Sequence, residues 1–251
     1  LMMSMTHTDV DCFGNCNGTI TTSVWGGTMP YSYYWDDMNT DPNRTGLCAG
    51  DYYLTVTDDN GCTVTGMATI TQPFDLLLDA TITHVACFDE YTGAIDLSVT
   101  GGTMPYSFYW TPGLETTEDL SNLHAGTYCV LVTDDHGCTA TACYTVTQPP
   151  AELRVDATYN HVTCYGECDG FVTTTATGGT PPYAYLWDPY GETTDAIYNL
   201  CPGTYTLTVT DDHGCTTSVV RTITQPSMLS YNSSSSDITC NGDCDGTAAV
   251  Y

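Results

Sequence analysis

The sequence predicts an all-β chain of tandem immunoglobulin-like antiparallel β-sandwiches, about 76 residues each and stapled by disulfides, and three observations carry that expectation. One motif is written three times, as "WGGTMPYSYYWDDM", "TGGTMPYSFYWTPG" and "TGGTPPYAYLWDPY". Its anchors keep a period: Trp35, Trp110 and Trp187 lie 75 and 77 residues apart, Cys62, Cys138 and Cys215 lie 76 and 77 apart, and so do Pro73, Pro149 and Pro226 of each "TQP". Between the anchors run short Thr-, Val- and Tyr-rich stretches broken by Gly, Pro and Asp, with no helical periodicity. The expected organisation is three repeats at 1–73, 74–149 and 150–226, with 227–251 opening a truncated fourth. In such an array a residue found once per repeat is explained first by folding.

The third repeat shows the elements in order. A strand or two in 153–164 precede "DGFVTTTATGG" (169–179), "PYAYLWD" (182–188), "AIYNL" (196–200), "GTYTLTVTD" (203–211) and "CTTSVVRTITQ" (215–225). Six or seven short strands in under 80 residues point to a sandwich of two antiparallel sheets. Tyr205, Leu207 and Val209 alternate with Thr204, Thr206, Thr208 and Thr210, so one face enters the core and a threonine face meets solvent. "DDHG" (211–214), with "DDNG" and "DDHG" before it, supplies Asp, Asn and Gly for a tight hairpin turn. Trp35, Trp110 and Trp187 are the expected core aromatics, although an exposed aromatic strip could instead stack on sugar rings.

Thirty acidic residues face three basic ones, Arg44, Arg154 and Arg221, and lysine is absent, for a formal charge of -27. Such a surface repels nucleic-acid phosphates and anionic lipid headgroups and attracts cations. No signal peptide opens the chain at Leu1 and no apolar run approaches the ~18 residues of a membrane span. Both ends read as cuts through a longer tandem protein, and direct membrane insertion is not expected.

Fourteen cysteines in regular positions indicate an oxidising, extracytoplasmic setting. Every complete repeat has one early and one late cysteine, and the expected pairs are within repeats: Cys12 with Cys62, Cys87 with Cys138, Cys164 with Cys215. Each would close a loop of about 50 residues and remove roughly 4 kcal/mol of unfolded-chain entropy. Repeats one and three add Cys16 with Cys48 and Cys168 with Cys201, where repeat two has Tyr91 and His124, losing both together as a bonded pair would. Repeat two alone has Cys129 and Cys143, almost symmetric about "DDHG" and so opposite one another on a hairpin; Cys240 and Cys244 wait for partners.

Zinc is disfavoured: "CFGNC", "CYGEC" and "CNGDC" each place two cysteines together, and His84 and His161 lie three residues before a cysteine, but repeat two keeps the histidine and loses Cys at 91. Calcium is a candidate ligand of the "DD" turns and of "NCNG", "ECDG" and "DCDG", which begin like a calcium loop but lack the closing glutamate. No resident cofactor is otherwise expected. Asn17, Asn43 and Asn232 fit the N-glycosylation pattern.

The order early cysteine with "NG" or "DG", then "GGTxPYxYxW", "LxAGxYxxxVTDxxGCT" and "ITQP" resembles the SprB repeat family of very large cell-surface adhesins of gliding bacteria. The resemblance covers all three repeats and "CNGDCDG" (240–246), and implies an exported surface protein in long tandem arrays, with adhesion or filament formation as its role. The additional cysteine pairs and the extreme acidity depart from it.

The functional expectation is a structural segment of an extracellular fibre or adhesin stalk, its partners the neighbouring repeats and other copies of the chain. Proline in "TQP" restricts its predecessor to extended conformations, so successive repeats should join stiffly. Phe74, Leu76, Leu77 and Leu78 could pack between neighbours. The alternative is a carbohydrate-binding module using Trp25, Tyr33, Tyr34 or Tyr190 on surface glycans. Catalysis finds no support: the six histidines have no partner pattern and no Gly-x-Ser-x-Gly element occurs. Residues 227–251 hold at most two strands, too few to bury a core, so alone they should be disordered unless another strand completes them.

Overall fold

The computed structural model describes residues 1–237, 239 and 247–250, and every regular element among them is a strand. The first repeat supplies β1 (Met2–Thr8), β2 (Gly18–Trp25), β3 (Ser32–Trp35), β4 (Arg44–Leu47), β5 (Gly50–Thr57) and β6 (Thr63–Ile70). They form two antiparallel three-stranded sheets, in the orders β1-β2-β4 and β3-β5-β6. In the immunoglobulin lettering these are strands A-B-E and C-F-G, so the connectivity itself identifies the fold.

The second repeat repeats this with β7 (Leu77–Thr83), β8 (Gly93–Thr100), β9 (Ser107–Thr111), β10 (Leu120–Leu123), β11 (Gly126–Thr133) and β12 (Thr139–Val146). The third does so with β13 (Arg154–Asn160), β14 (Gly170–Thr177), β15 (Ala184–Asp188), β16 (Ala196–Leu200), β17 (Gly203–Thr210) and β18 (Thr216–Ile223). Sheet orders β7-β8-β10, β9-β11-β12, β13-β14-β16 and β15-β17-β18 match the first repeat strand for strand. A last pair, β19 (Ser233–Ser236) and β20 (Thr247–Val250), is antiparallel. The expectation of disorder in 227–251 therefore does not hold for these two strands: backbone pairing joins them, and Ser236 and Thr247 hydroxyls meet at 2.8 Å as Thr8 and Thr19 do in β1 and β2.

The chain divides into two compact units, residues 1–85 with 91–147, and residues 86–90 with 148–251. The first contains two cores. One surrounds Trp35 with Ile20, Leu54, Val56 and Ile70, the other surrounds Trp110 with Ile95, Leu97, Val130 and Val132. The second unit has one core, around Trp187 with Val172, Leu207, Val209 and Ile223. All three tryptophans are essentially inaccessible, and each indole Nε1 donates to a backbone carbonyl, of Asp41, Thr117 and Thr194, at 2.8–2.9 Å. Burial of an indole is tolerable only with its one donor satisfied.

Tyr52, Tyr128 and Tyr205 form a tyrosine corner at the start of the F strand: their hydroxyls donate to the carbonyls of Cys48, His124 and Cys201, at 3.0, 3.1 and 2.9 Å. The expected packing of Phe74, Leu76, Leu77 and Leu78 between neighbours holds in part, since Phe74 and Leu76 line a cleft with Phe13 of the first repeat. Leu76 enters the core around Trp110 and Leu78 packs against it, while Phe74 and Leu77 are exposed. The alternation of β7 explains this split, since Leu76 and Leu78 share the face opposite Leu77.

Candidate functional site

Strand direction gives each sandwich two poles. Strands A and B turn back at one pole, in the loop carrying the early cysteine; strands F and G turn back at the other, in the hairpin carrying the late cysteine. In the first repeat Val10 N–H donates to Thr71 O at 3.0 Å, tying the early loop to the far end of β6, whereas Cys62 directly precedes the near end of β6. Eight residues at ~3.3 Å each separate these ends by about 26 Å. A disulfide needs Cα atoms within about 7 Å. The pairs Cys12–Cys62, Cys87–Cys138 and Cys164–Cys215 are therefore excluded by topology, and none is formed.

The early cysteine is bonded instead to the late cysteine one repeat further on. Cys12 pairs with Cys138 and Cys87 with Cys215, across 126 and 128 residues, with Cα atoms 5.6 and 5.7 Å apart. Cys62 and Cys164 are unpaired and exposed. The other pairs follow the register: Cys16–Cys48 and Cys168–Cys201 staple the early loop to the E–F corner at the same pole, and Cys129–Cys143 bridges directly opposed residues of β11 and β12. Where the second repeat lacks the corner disulfide, the Tyr91 and His124 rings are in contact, centroids 3.5 Å apart. Cys240 and Cys244 lie outside the described residues.

Each joint is built from side chains the sequence repeats. At the late pole Asp58, Asp134 and Asp211 are buried, each in the same set of bonds. One carboxylate oxygen accepts the amides of Cys62, Cys138 or Cys215 at 2.8 Å and of the residue two before it at 3.0–3.1 Å. The other oxygen accepts the amide of Thr28, Thr103 or Thr180 at 2.8–3.0 Å. These aspartates thus fix the hairpin that presents the cysteine and lock it to the "GGT" loop. The amides of Thr28 and Cys62 hold the Asp58 carboxyl below its ordinary value of 3.8. Gly27, Gly102 and Gly179, at φ +68, +58 and +57, leave room for these carboxylates; an added Cβ would meet the carboxylate Oδ2 at 2.6–2.9 Å.

At the early pole the glutamine of "TQP" is the brace. Gln72, Gln148 and Gln225 Oε1 accept the amides of Gly14, Asp89 and Gly166 at 2.9–3.0 Å. His84 and His161, the histidines of the disfavoured zinc pattern, accept the amides of Thr147 and Thr224 through Nδ1 at 3.1 Å. Asn17 donates to Asp11, and Asp169 accepts from the Thr163 amide and hydroxyl, bonds that hold its carboxyl below the ordinary value. Asn17, Asp58, Asp134, Asp169 and Asp211, among the residues singled out for calcium, thus cap and brace turns, while "DCDG" (243–246) lies outside the described residues; among the described residues no group of three or more His, Cys, Asp or Glu gathers as a metal site.

The two joints match residue for residue. Beside Cys12–Cys138 the His136 Nδ1 lies 3.4 Å from Asp11 O, and beside Cys87–Cys215 the His213 Nδ1 lies 3.3 Å from Ala86 O. Phe13, Leu76 and Gly137 line a cleft of about 330 Å³ at the first, and Phe88, Leu153 and Gly214 one of about 280 Å³ at the second. The tyrosine corner and the aspartate anchor escaped the sequence reading, although "LxAGxY" and the first Asp of "TDxxGC" recur in it.

Of the other predicted sites, Asn17, Asn43 and Asn232 are all exposed. The Asn17 amide group donates to Asp11 and the Asn43 carbonyl accepts the Thr22 amide. Trp25, Tyr34 and Tyr190 are exposed, while Tyr33 packs against the first core. Tyr190 and Tyr198 line a cleft of about 360 Å³ with Glu192 and Asn199.

No curated protein matches the chain by sequence. Among solved structures it is similar to the eight N-terminal Ig domains of Down Syndrome Cell Adhesion Molecule, with 14% identity and a TM-score of 0.41, covering 78% of this chain and 33% of that one. It is also similar to extracellular domains 3–5 of Drosophila OTK, with 12% identity and a TM-score of 0.35, covering 89% and 92%. This chain thus spans a third of the length of the first of these. The model of the SprB repeat matches residues 4–40, 80–114 and 157–191, once in each complete repeat.

Proposed function

We propose that this chain is a structural segment of a long extracellular repeat protein, a cell-surface fibre or adhesin stalk, and that it is not an enzyme. One observation carries this reading: the same disulfide joint recurs one period along, at Cys12–Cys138 and Cys87–Cys215, so the chain is organised around fastening successive repeats. Disulfides of this number belong to an oxidising compartment. No helix among the described residues is long and apolar enough to cross a membrane. The domains are the sequence repeats 1–73, 74–149 and 150–226, with neighbouring repeats and other copies of the chain as partners.

Electron microscopy of the native material tests the reading. Regular fibres or stalks with a spacing set by the repeat support it, and reductant is expected to soften them. Dispersed single chains without extended assemblies contradict it. Loss of the fibres on chelation alone would assign calcium a part. A glycan-binding reading has one observation in its favour, the Tyr190–Tyr198 cleft, present in the third repeat; retained sugar binding that Tyr190→Ala abolishes would favour it.

A further inference from the structure

Cys62 and Cys164 are the two open halves of a bond that the rest of the chain makes twice. Cys62 occupies the late position that Cys138 and Cys215 fill, and its hairpin carries the same carboxylate cap, with Asp58 Oδ1 accepting the Cys62 amide at 2.8 Å. Cys164 occupies the early position of Cys12 and Cys87, in a loop braced by the same glutamine. The ring that follows it, Tyr165, is exposed as Phe13 and Phe88 are. Both thiols thus sit in the frames that elsewhere in this chain hold bonded cysteines.

We propose that the early-to-late disulfide is a continuous joint of the array: Cys164 takes the late cysteine of a repeat placed after it, and Cys62 takes the early cysteine of a repeat placed before it. The proposal rests on the tandem structural reading above. Each bond forms when two thiols give up two protons and two electrons to a disulfide oxidant, such as oxidised glutathione, which leaves as two thiols.

The consequence is mechanical. From a late cysteine to the next early cysteine the chain is short: Cys62 to Cys87 spans β6 and β7, and Cys138 to Cys164 spans β12 and β13. Early-to-late bonds join these short pieces into two interleaved covalent threads. One runs through Cys12–Cys138 to Cys164, the other from Cys62 through Cys87–Cys215. Tension follows the threads, and the remaining ~50 residues of each repeat, including strands B to F, are bypassed. A thread advances two repeats in about 26 residues, so it extends to only about 90 Å where an unbraced chain would unravel to over 500 Å.

The test is a tandem fusion in which residues 1–228 run directly into residues 1–251. This join keeps the native spacing from "TQP" to the next early cysteine, and sets Cys164 of the first copy 126 residues before Cys62 of the second, the separation of Cys12 and Cys138. After oxidation with glutathione disulfide, the monomeric fusion is alkylated, digested without reduction and mapped by mass spectrometry. The expected result is a Cys164–Cys62 linked peptide in nearly all molecules, with label on Cys62 of the first copy and Cys164 of the second. Cys62→Ser in the second copy should return the first copy's Cys164 to full labelling, and its fold is secure because both cysteines are already unpaired in the single chain. Full labelling of both junction cysteines, or a Cys164–Cys215 peptide, overturns the proposal. That failure is distinct from failure of the fibre reading, which microscopy decides independently.

Discussion

Cys12 and Cys138 share a disulfide although 126 residues of sequence lie between them, and their Cα atoms stand 5.6 Å apart. A bond of this span removes the intervening chain from the covalent path between its ends. Stretching a single molecule from Leu1 to Pro226 should therefore give a final length near 230 Å, because the shortest covalent paths, through Cys12–Cys138 and Cys168–Cys201 or through Cys16–Cys48 and Cys87–Cys215, leave about 65 residues at ~3.5 Å each to carry the tension. Reduction should raise it to about 790 Å. Equal lengths before and after reduction would contradict the cross-repeat pairing.

The core aromatics should be individually indispensable to their own sandwiches. Trp187→Ala removes a buried indole and its bond to Thr194 O, and should destabilise the third repeat by about 3–5 kcal/mol. Denaturant unfolding followed by hydrogen exchange should place the loss in residues 170–223 and leave the core around Trp110 protected.

The Cys129–Cys143 bridge stands in the repeat that lacks a corner disulfide, and closes a short loop of separation 14. Its double replacement by serine should lower the stability of the second repeat by roughly 3 kcal/mol in the chain-entropy account. Thermal unfolding should show this as a shift of one transition and not of all. Tyr128→Phe, which loses the bond to His124 O, should cost about 1 kcal/mol in the same repeat.

Acid should loosen the Asp58 hairpin and the Asp169 loop, which present the unpaired Cys62 and Cys164. Asp58 is held below its ordinary value chiefly by the Thr28 and Cys62 amides, and Asp169 by the Thr163 hydroxyl and amide. A carboxylate with a depressed folded-state pKa contributes stability above its unfolded value, and that contribution is lost as pH falls through the folded value. Protection from hydrogen exchange at Cys62 and Asn60, taken relative to the intrinsic rate at each pH, should therefore fall below about pH 4 and be unchanged between pH 5 and 8. Asp58→Asn should lower this protection already at neutral pH and leave it largely insensitive to acid.

Raising pH acts elsewhere. Burial, and then the bond with Tyr190, push the Tyr205 phenol up to about 12. A raised phenol stabilises the fold only while protonated, so the tyrosine corner of the third repeat should weaken as pH climbs from 10 towards 12. Ultraviolet titration of Tyr205→Phe against the parent chain checks this as the loss of the last tyrosine to ionise.

Much of the fold was legible because repetition and alternation are local signals. Tyr205, Leu207 and Val209 read as an inward face, and so they are. Cys129 and Cys143 read as cross-strand neighbours because a tight turn fixes register. The early-to-late pairing was not legible from spacing, since Cys62 and Cys138 are both late cysteines and Cys12 could be matched with either. Strand parity decides between them: the A–B loop and the F–G turn fall at opposite poles of the sandwich, so the nearer cysteine in sequence is the farther one in space. The same pole-to-pole logic explains why Asp58, Asp134 and Asp211 are buried despite the acidity of the chain, for each is consumed in capping the turn that presents a late cysteine.

Peptide mapping of the chain under non-reducing conditions tests the central claim most directly. The account predicts linked peptides joining Cys12 to Cys138 and Cys87 to Cys215, with free thiols at Cys62 and Cys164. Peptides joining Cys12 to Cys62, Cys87 to Cys138 and Cys164 to Cys215 would contradict it, and would return each repeat to a self-contained bead.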